Sequence, residues 1–221
     1  MVRRVPVDVA ASVALLGGGA VLTALVHVPR SRAVVQRLDD RWYALVQRTR
    51  TPPHTAAART LDVAFGTTVD WTVRALVTAD LLRHRRWRAL AGWAGTVVLG
   101  EVSVGPLKAA VDRIRPPEPL TRTSMMSYPS GHALAAATTA PGIVLALLPP
   151  GPQRRRGLAV AIPLAWVTAL SRTSLNAHWL SDVVGGAALG TGYALVAPRL
   201  AHLGDRNHRA DPDGYRSSRS R

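Results

Sequence analysis

The residues best suited to chemistry lie between Ser171 and Asp182, in the stretch SRTSLNAHWLSD. His178 and Asp182 stand at i and i+4, so on a helix they share a face, one turn apart. A carboxylate there accepts a proton from one imidazole nitrogen. That fixes the tautomer and leaves the other nitrogen free as a base or nucleophile. Arg172 adds a planar fork of donors suited to phosphate. Taken alone, the stretch reads equally well as a short loop, a helix start and a solvated arginine. Other groups decide between the two.

Two such groups precede it. Lys108, the chain's only lysine, stands upstream of Arg115-Pro116. Pro129-Ser130-Gly131-His132 opens an apolar run. At a helix start, free backbone N–H groups and the helix dipole favour an anion, and Gly131 lets the backbone approach it closely. Lys108, Arg115 and Arg172 bring positive charge, which suits a phosphoryl group, and the Ser130 hydroxyl adds a donor. His132 and His178 can divide general-acid and nucleophile work at neutral pH. No acidic cluster accompanies them. The cationic side chains would then neutralise charge as a metal does elsewhere, and the reading calls for no metal and no cofactor.

The elements that must position these groups are apolar. The chain has 221 residues, 48% of them hydrophobic, with 28 basic and 13 acidic side chains. The charges cluster and leave apolar runs at about 8–28, 56–82, 89–111, 131–148, 157–171 and 183–200. Runs of about 20 apolar residues are long enough to cross a bilayer. The expected fold is all-α, a six-transmembrane-helix bundle forming one membrane-embedded unit over residues 1–200. The run after Arg3 and Arg4 is read as a retained span, being longer than the apolar core of a signal peptide. Basic loops beside spans account for the net charge of +15, and no nucleic-acid motif or aromatic platform accompanies it. The absence of cysteine excludes disulfides and thiolate metal sites.

Residues 30–50 differ, because Val34, Val35, Leu38, Trp42, Leu45 and Val46 recur at helical spacing among arginines. This predicts an interfacial amphipathic helix with Trp42 and Tyr43 at headgroup depth, ended by Thr51-Pro52-Pro53. In the second run, ionisable residues are costly unless paired, and Asp70 with Arg74 at i, i+4 is expected as a structural ion pair. Glu101 and Lys108 in the third run point roughly the same way. Pro116, Pro117 and Pro119 keep 112–130 a loop. Gly185, Gly186 and Gly190 permit close helix packing. The polar, Arg- and Ser-rich tail, 201–221, is expected to be disordered.

Six spans carry all three chemical groups to one membrane side. With Lys108, Arg115 and Arg172 set aside as site residues, the basic excess lies on the side of the N-terminus. That side is then cytoplasmic, and the site faces outward.

The pattern Lys108-x6-Arg115-Pro116, then Pro129-Ser130-Gly131-His132, then Ser171-Arg172-x5-His178-x3-Asp182 resembles the type 2 phosphatidic acid phosphatase superfamily, in its integral membrane branch. The resemblance implies a metal-independent hydrolase acting on lipid phosphates through a phosphohistidine. It implies His178 as nucleophile, Asp182 as its partner and His132 as general acid, with Lys108, Arg115, Ser130, Gly131 and Arg172 holding the phosphate. Asn176 departs from relatives that have glycine there, but Asn also tolerates unusual backbone angles. The superfamily's soluble haloperoxidases lack six apolar runs. The expected substrate is a lipid phosphate or diphosphate within the cell membrane: a polyprenyl diphosphate, phosphatidic acid or phosphatidylglycerol phosphate. The alternatives are lipid-to-lipid phosphotransfer at the same site, and a non-catalytic lipid-binding or transport protein. The oligomeric state is left open.

Overall fold

The computed structural model describes residues 7–124 and 126–209. Among these it has eight helices and no strand, so the fold is all-α as expected. The helices are α1 (Val7–His27), α2 (Pro29–Thr49), α3 (Pro52–Ala64), α4 (Thr67–Arg83), α5 (Trp87–Val111), α6 (Gly131–Leu147), α7 (Pro152–Ser174) and α8 (Leu180–Arg209).

Local chemistry explains the boundaries. Thr51 accepts the His54 N–H at 3.3 Å, and Pro52 then starts α3, where its missing N–H costs nothing. Ser130 caps α6 by accepting the Ala133 N–H at 3.4 Å. Between α5 and α6 the prolines exclude a helix. That loop is held by Ser127 N–H to Arg113 O at 2.8 Å and Leu120 N–H to Leu175 O at 2.9 Å.

Three stretches are long and apolar enough to cross a membrane: Val9–His27, Trp87–Val111 and Leu180–Arg199. Gly131–Leu147 is a shorter apolar helix. They differ in burial. In the most apolar window of α8, 78% of the residues are buried, against 17% in α1 and 22% in α5, which makes α8 the central helix. The outer faces are apolar: Val13 of α1, Leu76 of α4, Val102 of α5 and Val160 of α7 are all more than half exposed. A face of this kind matches lipid rather than water.

α8 packs backbone to backbone on α6. A Cβ added at Gly186 would lie 2.7 Å from the Ser130 carbonyl, and one at Gly190 would lie 2.5 Å from the Leu134 carbonyl. This contact sets the Ser130 turn beside the start of α8, where Ser130 N–H donates to the Asp182 carbonyl at 3.0 Å.

The structure corrects three expectations. First, the run 56–82 is not one helix. It breaks at Phe65-Gly66, between α3 and α4. A Cβ on Gly66 would sit 2.9 Å from the Asp62 carbonyl, so only glycine lets the chain turn this tightly. Second, His178 lies in the turn before α8, so the His178–Asp182 pair is made across a helix start and not along a helix face. Third, α8 continues past residue 200 to Arg209, into the expected tail. Residues 210–221, like Arg3 and Arg4, lie outside the described residues.

The Asp70–Arg74 pair is present at 2.8 Å. Arg74 also donates to Glu101 of α5 at 2.5 Å and to Thr139 of α6 at 2.9 Å. This ion cluster therefore ties three helices together. It commits Glu101, which the spacing had aligned with Lys108, to Arg74.

Candidate active site

His178 is 5% exposed, in the turn that α7 and α8 hold between them. Its Nδ1 lies 3.5 Å from Asp182 Oδ2, and its Nε2 lies 3.0 Å from Arg115 Nη1. Arginine can only donate, so the nitrogen facing it carries the lone pair. The tautomer that fits has Nδ1–H toward Asp182 and Nε2 unprotonated. Burial pushes the imidazole down to about 4. Asp182 opposes that shift, and the cations of Arg115 and Lys108 add to it. At neutral pH the ring is uncharged, as a nucleophile must be.

Asp182 is fully buried, and four donors converge on its carboxylate. Besides His178 they are Arg113 Nη1 at 2.8 Å, the Trp179 backbone N–H at 2.9 Å and the Ser127 hydroxyl. The Trp179 contact is half of a capping box, with the third residue of α8 reaching back to the N–H before the helix. Arg113 is 4% exposed and extends the network. It donates to Asp39 Oδ2 of α2, to Gln36 and to Ser181, each at 2.6 Å. Its guanidinium also lies over the Trp179 ring, 5.6 Å from the centroid.

Of the phosphate-directed residues, Arg115 is anchored by Met126 O at 2.8 Å, Ser124 Oγ at 3.0 Å and the carbonyls of Ser124 and Ala177. Lys108 Nζ donates to the same Met126 carbonyl at 2.9 Å, which brings both cations to one side of His178. Arg172 is 2% exposed, and its Nη1 pairs with Asp62 of α3. Its buried Nε has no hydrogen-bond partner among the described residues. His132, at the first turn of α6, is less buried, and its Nε2 lies 3.6 Å from Asp62 Oδ1. Ser130 is buried, and a Cβ at Gly131 would meet nothing within 4 Å, so the N-terminus of α6 is open on that side.

The eight sequence-predicted residues therefore fall into two adjoining sets. His178, Asp182, Arg115, Lys108 and Ser130 are linked through Met126 and the start of α8. His132 and Arg172 meet at Asp62, and Gly131 joins His132 to Ser130. Asn176 takes φ +52°, the left-handed region its side chain was expected to tolerate. Sequence reasoning missed the roles of Asp39, Asp62, Arg113 and Ser127. For Asp39 a signal existed, because it lies at helical spacing from Val35 and Val46, the other buried residues of α2. For Asp62 the signal is an acid inside the apolar run 56–82.

The model of the PAP2 superfamily matches residues 89–204. Decaprenylphosphoryl-5-phosphoribose phosphatase from Mycobacterium tuberculosis is 35% identical over 152 residues, covering 66% of this chain and 78% of that protein. Phosphatidylglycerophosphatase B from Bacillus subtilis is 35% identical over 89 residues, 38% of this chain and 44% of that one. The crystal structure of a transmembrane PAP2-type phosphatidylglycerolphosphate phosphatase from Bacillus subtilis superposes with a TM-score of 0.70 at 23% identity, covering 93% of this chain and 98% of that chain. That likeness shows the fold. The matched segment holds every sequence-predicted site residue, whereas Asp39 and Asp62 lie before it.

Proposed function

The chain belongs to the PAP2 superfamily, and from that premise we propose that it hydrolyses the phosphate monoester or diphosphate of a membrane lipid through a phosphohistidine on His178. The observation that carries this reading is the placing of the His178 ring, with Asp182 Oδ2 3.5 Å from Nδ1 and Arg115 Nη1 nearer Nε2, at 3.0 Å, than Nδ1, at 3.5 Å. A phosphoryl oxygen bound to Arg115 would bring phosphorus to the free lone pair.

The steps balance as follows. His178 Nε2 attacks phosphorus and the P–O bond to the lipid breaks. His132 delivers a proton to the departing oxygen. A water, losing its proton to His132, then attacks the phosphohistidine, the P–N bond breaks and inorganic phosphate leaves. Lys108, Arg115 and Arg172 offset the charge on the transferred group, along with the N–H groups at the start of α6. The unpartnered Nε of Arg172 is a donor a phosphoryl oxygen would satisfy.

The relatives' names point to three lipid substrates, a polyprenyl-phosphoryl sugar phosphate, phosphatidylglycerol phosphate and, from an undecaprenyl-diphosphatase, a polyprenyl diphosphate. Phosphatidic acid joins them as a candidate on the sequence reading. In this proposal α1 and α4 to α8 cross the cell membrane, while α2 and α3 lie on the site side, facing outward. Phosphate release by purified protein in detergent with EDTA, over this panel of lipids, tests the reading. The expected result is EDTA-resistant release that His178→Ala abolishes. Release that requires a divalent metal, or that persists in His178→Ala, overturns it.

A further inference from the structure

We propose that Asp62 is a positioning residue for the leaving-group acid, orienting the His132 ring and holding Arg172 in one orientation. The proposal rests on the phosphohistidine reading above. Asp62 sits one turn before the Gly66 break, which ends α3 and leaves this carboxylate at the site. Its Oδ1 takes Arg172 Nη1 and lies 3.6 Å from His132 Nε2. Its Oδ2 accepts the Thr121 hydroxyl at 2.7 Å, so the proline-rich loop fixes the side chain from behind. One carboxylate thus touches residues from α6 and α7 and is itself tethered by a third segment.

The chemistry gives it work. The acid must hold a proton among the cations of Arg172 and Arg115, and like charges disfavour that. A neighbouring carboxylate is the compensating group. The other acids near His132, Asp70 and Glu101, line the same cleft but are committed to Arg74. Asp62 Oδ1 lies 3.6 Å from Nε2 of His132, so in this proposal Nδ1 delivers the proton. The His178–Asp182 pair is arranged the other way round, with the carboxylate at Nδ1 and the lone pair on Nε2. The ring exposures follow this division. The His178 side chain is 4% exposed and the His132 side chain 30%, so the acid is the more open of the two rings.

A carboxylate beside a phosphate also opposes anion binding. Removing it therefore has two effects of opposite sign, which a merely structural tether would not produce. The test uses the full chain in detergent with two substrates: a lipid phosphate monoester, whose alkoxide leaving group needs a proton, and p-nitrophenyl phosphate, whose phenolate does not. Orthovanadate serves as the anion probe. Asp62→Asn should slow the lipid reaction by about 100-fold, within the usual range of general-acid contributions. It should slow the p-nitrophenyl phosphate reaction far less, and vanadate should inhibit at lower concentration. Thr121→Val, which keeps the carboxylate and removes only its tether, should slow the lipid reaction more than the p-nitrophenyl phosphate reaction, by smaller factors, and leave vanadate inhibition near wild type. It decides the matter if Asp62→Asn loses helical content. Equal losses on the two substrates, or weaker vanadate inhibition, overturn the proposal. His178→Ala, measured alongside, reports separately on the phosphohistidine reading; release that survives in it removes the acid role assigned here as well.

Discussion

Asp39 caps α8 through Ser181: its Oδ1 accepts the Ser181 backbone N–H at 2.8 Å and its Oδ2 accepts the Ser181 hydroxyl at 2.6 Å. The same carboxylate pairs with Arg113, whose other amino group holds Asp182. α2 is therefore part of the framework that aims the nucleophile. Asp39→Ala removes the cap and leaves a buried guanidinium short of one partner. Breaking a buried pair from one side costs about 3–5 kcal/mol. Thermal unfolding in detergent, followed by helical circular dichroism, should show a clear drop in Tm, with phosphate release falling in parallel. Asp39→Asn retains an acceptor for the N–H and should fall between. A wild-type Tm in Asp39→Ala would show that the network carries no such weight.

The His178 ring sets a pH dependence. Burial puts it at about 4, so the fraction able to attack stays near full down to about pH 5 and halves near pH 4. The acid limb of kcat/KM, allowing for the substrate's own phosphate ionisation, should lie well below the ordinary histidine value of about 6.5. Asp182→Asn removes a group that favours the protonated ring, so it should not raise this limb. Its effect should be a fall in kcat from loss of the tautomer. An acid limb at about 6.5 in the wild type would contradict the burial argument.

These relationships were unevenly legible. The motif residues and most helix limits could be read because fixed spacings and apolar periods are local properties. Ser130 at the start of α6 follows from side-chain chemistry within one turn, whereas Pro52, expected to end one helix, also opens the next. Arg113 and Arg115 were not separable in the same way. In a loop, spacing carries no face, yet one faces Asp182 and the other His178. The amphipathic reading of residues 30–50 assumed one apolar face. The helix has two: Val35 and Val46 are buried, whereas Val34, Leu38 and Leu45 are at least half exposed. Asp39 lies on the buried one. The break at Gly66 was hidden because a single glycine in an apolar run is a weak signal, and its cause is a carbonyl contact visible only in three dimensions.

Asn176 offers a test of backbone against side chain. At φ +52° a β-branched residue is strained, and the Asn176 amide also accepts from Gln47 at 2.8 Å and from Arg50, and donates to Glu118 O at 3.0 Å. Asn176→Gly keeps the backbone and loses the bonds. Asn176→Val loses both, with about 1–2 kcal/mol more cost from the left-handed conformation. Both should lower Tm, with valine the worse. Activity should follow the same order, because this turn presents His178 two residues later. Equal Tm values for the two variants would show that the left-handed backbone contributes nothing measurable.

The α6–α8 contact predicts a steric effect on the site from residues that bear no chemistry. A methyl at Gly190 would stand 2.5 Å from the Leu134 carbonyl and 3.0 Å from the Ala137 side chain, and backbone cannot yield as a flexible side chain does. Gly190→Ala must therefore push α8 from α6, at an overpacking cost of about 1–3 kcal/mol or more. The displacement would be carried to the hydrogen bond between Ser130 and Asp182, which joins the two turns of the site. Gly131→Ala makes the contrast: an added methyl there meets nothing within 4 Å, although it crowds the mouth where phosphate would bind. The expected result is that Gly190→Ala lowers Tm and activity together. Gly131→Ala should leave Tm near wild type and raise KM or the vanadate concentration needed for inhibition. A Gly190→Ala protein with unchanged Tm would mean that the helices are not in backbone contact.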